Sequence, residues 1–270
     1  GTTLVMAFPE PVIKQPAEHQ GDAPVDSLRK ALVAATPSFP IQQIFAGPIR
    51  SFALSQHGGV ASTVWPIGSC GHGDSAFFSR PGLTTDEAAQ KLFSDQPFDA
   101  SLAMAAINSA LPTDGLITEN INARDLIIRE ASGGVLGLIG HFCFLEKFRP
   151  HFADLLVFEL EPRPGDIPAS EIPKRLREAD VVAVTGTTLI NGTIETILDS
   201  VRPDARIVML GPSTPLAPVL LEHGIHAICG TVVDDPEVVA RNAMLAGSPH
   251  DHCGTRQIVL TDSASREQTA

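Results

Sequence analysis

The spacing of apolar residues changes part-way along the chain, and the two rhythms predict two kinds of structure. The first part opens with PVDSLRKALVAA, which brings Leu28, Leu32 and Val33 to one face. This helical period predicts a helix, and Asp26 or Ser27 would cap its amino end. The residues before it contain several prolines and little periodicity, so we expect an arm there.

Short strands and then helices follow this first helix. The runs IQQIFAG, IRSFALSQHGG and VASTVWP are broken by turn residues and predict a small antiparallel meander. The segment TTDEAAQKLF predicts a helix capped by Thr84 or Thr85, and SLAMAAINSALP predicts another that Pro112 closes. Strands followed by helices indicate an α+β domain, which ends near Arg129.

The second part alternates apolar strands with amphipathic helices, as in DVVAVTGTT, NGTIETILDSV and ARIVMLGPSTP. This alternation is typical of βαβ units around a parallel sheet. We therefore predict an α/β chain in which a small α+β domain precedes a Rossmann-like parallel-sheet domain. The predicted boundaries are an arm over 1–23, the α+β domain over 24–130, the Rossmann-like domain over 131–248, and a tail over 249–270 with a short strand at RQIVLT.

The net charge makes some classes of binding partner unfavourable. The 270 residues are 43% hydrophobic and carry a formal charge of -12, so a nucleic-acid backbone or an anionic membrane surface would repel the chain. No stretch approaches the roughly 20 apolar residues of a membrane span, and no signal-peptide pattern opens the sequence. We expect a cytoplasmic homo-oligomer whose partner is a small molecule or a metal.

Threonines and glycines cluster after the strand at Val181. In parallel α/β sheets, ligands bind beyond the carboxyl ends of the strands, where glycines permit close approach and helices begin. The alternative is ordinary helix capping by Asn191. The candidate ligand-binding residues of this threonine corner are Thr185, Gly186, Thr187, Thr188, Asn191, Gly192 and Thr193.

Two more corners of this kind accompany it. In IVMLGPSTPLAPVL, Ser213 or Thr214 could cap a helix that has Pro215 at its first position. In the segment GLIGHF, the first strand ends, and the next strand ends in Glu159 and Glu161, where a dinucleotide fold places its ribose-binding acid. A full GxGxxG is missing, so a nucleotide cofactor has weak support. Further candidate ligand-binding residues are Gly211, Pro212, Ser213, Thr214, Glu159 and, on an apolar helix face, Asn108.

Cysteine and histidine are close in sequence at three places. Cys70 and His72, and likewise His141 and Cys143, have the spacing that puts both side chains on one face of an extended segment. Thiolate with imidazole suits late transition metals, although each residue could equally be a buried thiol or a loop histidine. His141 is the strongest candidate because it stands at a strand end. The tail adds His250, His252 and Cys253, while Cys229 suits a buried thiol.

The second part resembles a bacterial and archaeal family named for heavy-metal chelation. The resemblance rests on VTGTTLINGTIETIL, MLGPSTPLAPVLLEHGI and CGTVVDDPEVV, and extends to GLIGHF and AAINSAL. It implies a Rossmann-like carboxy-terminal domain, an amino-terminal domain like that of enolase, and suggested links to anaerobic cobalamin-type metabolism. Here Cys143 and the HDHC tail depart from the family pattern and add soft ligands.

Two functional hypotheses follow. The first is a small-ligand-binding protein that chelates a transition metal, or a metal-bound metabolite, in the cleft between the domains, with His141 as a ligand. The second is a transferase-like enzyme that acts on a small anionic metabolite, with helix amino ends holding the anion and His141 as acid or base. A purely structural role is a third alternative, which the polar strand-end corners argue against.

Overall fold

Two β-sheets form the framework of the chain. The computed structural model describes residues 26–66, 72–114, 116, 118–119, 121–142, 147, 149–247 and 253–261. The first sheet is an antiparallel meander with the order β1-β2-β3, as the sequence predicted. Its strands and the accompanying helices are β1 Gln43–Ala46, β2 Arg50–Leu54, β3 Gly58–Ser62, α1 Ser27–Ala34, α2 Ser75–Phe78, α3 Thr85–Ala89 and α4 Pro97–Ala110.

The second sheet has the order β4-β11-β10-β9-β8-β5-β6-β7. Its strands are β4 Thr118–Glu119, β5 Val135–Ile139, β6 Asp154–Glu159, β7 Ile167–Pro168, β8 Val181–Thr185, β9 Arg206–Leu210, β10 Ala227–Val233 and β11 Thr255–Thr261. The helices of this part are α5 Ala123–Ala131, α6 Ile172–Arg175, α7 Thr187–Ile190, α8 Ile194–Ser200, α9 Pro218–Glu222 and α10 Pro236–Met244. The predicted α/β class is confirmed.

The chain reverses its direction of travel across the second sheet between β5 and β8. From β5 it adds β6 and β7 on one side, then returns to place β8, β9 and β10 on the other, all parallel. This is the 3-2-1-4-5-6 order of doubly wound sheets, whose ligands bind at the reversal point. Antiparallel β11 follows β10 and pairs with β4.

Both faces of the second sheet are covered, which explains its continuous apolar strands. In β8, Val182 and Val184 belong to the core that faces α4, while Val181 and Ala183 pack with α5 on the opposite face. Parallel strands buried on both sides read as unbroken apolar runs, whereas half-exposed strands would alternate. The unbroken apolar strands therefore indicate that helices cover both faces of the sheet.

Helix α4 connects the two sheets. Eleven of its fourteen residues are buried, because the meander covers one side and the core of the second sheet another. Alanines let neighbouring backbones approach closely. A Cβ atom on Gly59 of β3 would lie 2.3 Å from Ser109 N and 2.4 Å from Ala105 O. The helix also contacts α7 at the threonine corner.

Polar contacts join the two parts of the chain at the same level. Ser213 Oγ accepts a hydrogen bond of 2.8 Å from Ser62 N at the end of β3. At the start of α1, Leu28 N donates to Glu195 Oε1 of α8 at 2.8 Å. The buried Arg29 guanidinium pairs with Asp26 at 3.0 Å, and burial is the main cause that lowers the pKa of Arg29. These contacts hold α1 and β3 against the loops that surround the reversal point.

Several local predictions were confirmed, and others were wrong. The strand at RQIVLT lies within β11, and Asp235 caps α10 through a 3.1 Å bond from Val238 N. The turn predicted over 185–192 contains helix α7, because Thr188 Oγ1 and the backbone close a helical turn there. Helix α9 begins at Pro218, not at Pro215, since the preceding residues stay extended while Ser213 contacts β3.

The domain boundaries given above remain predictions. Within the described ranges, none of the helices combines the length and apolar character that crossing a bilayer requires.

Gly59→Ala should destabilise the protein by about 1 to 3 kcal/mol, because the added methyl group would collide with the α4 backbone. The measurement is the free energy of unfolding in urea. Gly73→Ala is the matched control, since its Cβ would meet only side-chain atoms, the nearest 3.1 Å away at Asp99 Oδ1. Equal stability of the two variants would contradict the packing described for α4.

Candidate functional site

A pocket of about 520 Å³ opens at the carboxyl ends of β5, β6 and β8, at the reversal point of the sheet. Every described residue that lines it lies between positions 139 and 197, in the second part of the chain. Among the sequence-predicted residues, those that line it are His141, Glu159, Thr185, Thr187, Thr188, Asn191 and Thr193.

The sequence analysis missed the apolar walls of the pocket. These residues come from strand ends, from the segment after β7 and from helix α8. They are Ile139, Phe142, Phe158, Leu160, Ala169, Ile172 and Ile197, and the polar Ser170 and Thr196 join them. Their only sequence signal was their place next to a predicted strand or helix end.

Gly140 shapes the floor of the pocket where β5 ends. Its φ of +95° lies in a region that residues with a Cβ rarely adopt. A Cβ there would also lie 3.3 Å from Thr185 Cγ2, so glycine lets the β5 end approach the β8 end. Gly137, which we predicted to end this strand, lies in its middle. The glycine at 140 turns the chain so that His141 enters the pocket.

His141 is held by a carboxylate that the sequence analysis did not identify. Its Nε2 lies 2.8 Å from Asp166 Oδ2, and the Asp166 side chain is only 7% exposed. Arg163 N also donates to Asp166 Oδ2, at 2.7 Å. The two residues are 25 positions apart, in the loops after β5 and before β7. The PGD turn in which Asp166 lies was visible in the sequence, but nothing there paired it with His141.

The protonation of this pair follows from the surroundings of Asp166. Burial alone would raise the pKa of Asp166, but hydrogen bonds from His141 and Arg163 N outweigh it and lower the pKa. The carboxylate is therefore ionised at neutral pH and can only accept. His141 Nε2 must then carry the shared proton, and in the neutral ring the lone pair lies on Nδ1. Such a ring can act as a base or as a metal ligand.

The threonine corner uses its own hydroxyl hydrogens. Thr187 Oγ1 donates to Thr185 Oγ1 at 3.0 Å, and Thr188 Oγ1 donates to Thr185 O at 2.8 Å. Thr193 Oγ1 donates to Asn191 Oδ1 at 2.8 Å. These three hydroxyls therefore offer a ligand mainly their lone pairs. The corner is rich in acceptors.

Backbone groups at the corner are also engaged. Gly186 N donates to Leu210 O at 3.0 Å, and Thr193 N donates to Thr188 O at 3.1 Å. No lysine or arginine occurs among the described residues that line the pocket, which include the Glu159 carboxylate. The pocket therefore suits a cation, or a neutral molecule with hydroxyl or amino donors, better than an anion.

Glu159 is the last residue of β6 and is half-buried in the pocket wall. Glu161, the other acid that we predicted at this strand end, is exposed and lies outside the pocket lining. Within the part of the chain that the structure describes, no hydrogen bond or ion pair reaches the Glu159 carboxylate. This carboxylate therefore offers both of its oxygens to a ligand.

The loop GPSTP at 211–215, which we call the GPSTP corner, does not line the pocket as we had expected. Ser213 and Thr214 are buried and do not line the pocket. A Cβ on Gly186 would lie 2.6 Å from Thr214 N, so this corner packs directly behind the threonine corner. Gly211 and Pro212 are half-buried beside it, outside the pocket lining. The corner supports the pocket wall from outside, and Ser213 joins it to the meander.

The remaining candidates also lie elsewhere. Gly192 faces Arg29, whose Nη1 would be 2.9 Å from an added Cβ. Asn108 Nδ2 donates to Val60 O at 2.8 Å, so its amide joins α4 to β3 and does not reach the pocket. His72 is exposed. Cys70, Cys143, His250 and His252 fall outside the described residues.

The described residues do not form a closed metal cage. Within these ranges, no group of three or more histidine, cysteine, aspartate or glutamate side chains could hold an ion. Cys229 is buried in β10, in agreement with the sequence, which suited a buried thiol there. Cys253 is exposed. Of the described residues that line the pocket, His141 and Glu159 are the two with side chains that commonly bind metals.

Known proteins resemble this chain in both of its parts. A family profile, DUF364, with the description "Putative heavy-metal chelation" matches residues 122–261, more than half of the chain. The chain belongs to this heavy-metal chelation family. A second profile with the same description, DUF4213, matches residues 29–111. The resemblance drawn from the sequence motifs is thereby confirmed. None of the curated proteins matches this chain.

Two solved structures from this heavy-metal chelation family share the fold. A DUF364 protein of unknown function from Desulfitobacterium hafniense is 26% identical, with a TM-score of 0.76 over 87% of this chain and 97% of that one. A second, from Pyrococcus horikoshii, is 19% identical, with a TM-score of 0.74 over 88% of this chain and 99% of that one. Both support the architecture described above.

Asp166→Asn should lower the free energy of unfolding at pH 7 by about 1 to 2 kcal/mol, because an ionised acceptor is lost. The contribution of Asp166 is complete above its ordinary pKa of 3.8 and disappears as the pH falls through its lower folded-state pKa. Urea unfolding at pH 7 and near pH 3 measures this, with the exposed Asp95→Asn as control. A stability difference that persists unchanged at the lower pH would contradict the assignment.

Proposed function

We propose that the protein binds a transition metal together with a small organic metabolite in the pocket at the ends of β5, β6 and β8. The support is the chemistry of the lining. The described wall combines one imidazole, one carboxylate and several hydroxyl acceptors with no lysine or arginine. Such a wall attracts a cation, and the net charge of -12 adds to the attraction.

The size of the pocket favours a metal complex over a bare ion. A volume of about 520 Å³ lies in the range of pockets for small organic ligands. The described lining contains one imidazole and one carboxylate, whereas a closed structural zinc site uses four protein ligands. The metabolite would then complete the coordination of the metal. This chemistry agrees with the chelation description of the family.

His141 is the protein ligand that we assign to the metal. The Asp166 carboxylate orients the ring through Nε2, as carboxylates commonly orient metal-binding histidines. Imidazole nitrogen suits zinc, copper, nickel and related metals, while carboxylate oxygen adds negative charge. The metal is cargo in this proposal, and the protein orients the complex.

A second candidate function is an enzyme that acts on a small metabolite. The His141–Asp166 pair favours it, because an imidazole oriented by a buried carboxylate is an arrangement used by general bases. The lining favours a cationic or neutral substrate, and it gives no support to the anionic substrate first considered.

The test is elemental analysis together with native mass spectrometry of protein purified without an affinity tag or a chelator. We expect near-stoichiometric transition metal and a bound organic mass, both lost from His141→Ala. His151→Ala is the matched control, because His151 is exposed and precedes β6 at the opposite edge of the sheet. This control should retain both components.

The alternatives give different results. An organic mass retained without metal, and dependent on His141, would favour the enzyme. Metal retained equally by His141→Ala and by the control would place the ion elsewhere. Protein without metal in all three preparations would remove the proposal.

A further inference from the structure

We propose that the metabolite carries a ribose, and that Glu159 binds its two adjacent hydroxyl groups. This inference rests on the proposed function, since it names the class of molecule that fills the same pocket. It assigns Glu159 to the organic part of the ligand and leaves His141 for the metal. The ligand class is therefore a ribonucleoside or a molecule built on one.

The position of Glu159 in the sheet is the first argument. It ends β6, which follows β5 along the chain and lies beside it, next to the reversal point. In doubly wound sheets that bind dinucleotides, an acid at this strand end hydrogen-bonds the ribose, because the strand end directs its side chain over the ligand crevice.

The unused hydrogen-bonding capacity of Glu159 is the second argument. No protein donor reaches its carboxylate within the described residues, and no described lysine or arginine lines the pocket. With no protein donor, this half-buried carboxylate takes its hydrogen bonds from water or from a ligand that replaces the water. Two adjacent hydroxyl groups provide one donor for each carboxylate oxygen, and such charge-assisted bonds are strong.

The walls around Glu159 are the third argument. Leu160 follows it directly, lines the pocket and is 55% exposed. Phe142 and Ile172 line the same pocket. A flat base attached to the ribose would cover this apolar surface. Across the pocket, the lone pairs of the threonine corner can accept from amino or hydroxyl groups of the ligand.

The pocket volume agrees with this class of ligand. About 520 Å³ accommodates a molecule of nucleoside size, and the absence of described cationic residues from the lining disfavours terminal phosphates. A nucleoside without phosphate, or one attached to a neutral or cationic group, matches both features.

The experiment is calorimetric titration of the full chain with adenosine, guanosine, cytidine and uridine, and with the four 2′-deoxy counterparts. Each titration is run with and without Co²⁺. We expect at least one ribonucleoside to bind. Its 2′-deoxy form should bind at least about tenfold more weakly, because one hydroxyl donor is missing. Catechol, an aromatic molecule with adjacent hydroxyls, tests whether the ribose itself is needed.

The variants are Glu159→Gln and Glu161→Gln, which make the same chemical change two residues apart. Glu161 is exposed and outside the lining, so its variant should bind like the wild type. Glu159→Gln should lose about tenfold or more in ribonucleoside affinity and keep its thermal stability, since no described protein group pairs with the carboxylate.

Four outcomes would overturn the inference. The first three are equal affinity for ribonucleosides and their 2′-deoxy forms, equal affinity of the two glutamine variants, and binding of catechol without any ribonucleoside. Absence of binding by every nucleoside, with and without Co²⁺, would also overturn it. The metal content of the purified protein is measured separately, so the proposed function can stand or fall on its own.

Discussion

Close backbone contact between α4 and β3 is the constraint on which the rest of the structure depends. Gly59 has no side chain, so the α4 backbone at Ala105 and Ser109 can lie directly against the strand. The helix is then covered by the meander and by the second sheet, and a single core spans both parts. Through its contact with α7, this buried helix supports the threonine corner from behind.

The pocket depends on that support in a further way. Ser213 binds the end of β3, and Gly186 admits the backbone of Thr214 against the threonine corner. Ser213 of the GPSTP corner thus helps to hold the two parts together. The polar residues of the threonine corner satisfy one another and turn acceptors toward the pocket. The similar loops after β8 and β9 therefore have different roles, because only the loop after β8 faces the reversal point of the sheet.

The chemistry of the site follows from which charges surround it. The carboxylates of Glu159 and Asp166 lie at or near the pocket, and Asp166 is already engaged by His141. Glu159 has no protein partner within the described residues, so its carboxylate is available to a ligand. Without a described cation in the lining, the pocket selects for positive charge and for hydrogen-bond donors. Metal binding and hydroxyl recognition are compatible within one such pocket because they use different side chains.

The sequence by itself determined the elements, the parallel character of the second sheet and the strand ends where a ligand would bind, because these follow from local periodicity and turn chemistry. It also placed His141, Glu159 and the threonines at those ends. Only the tertiary structure decided which corners meet. It joined His141 to Asp166 across 25 residues, buried Ser213 and Thr214, and used Asn108 to bind β3. Those outcomes depend on strand order and helix packing, which local patterns do not encode.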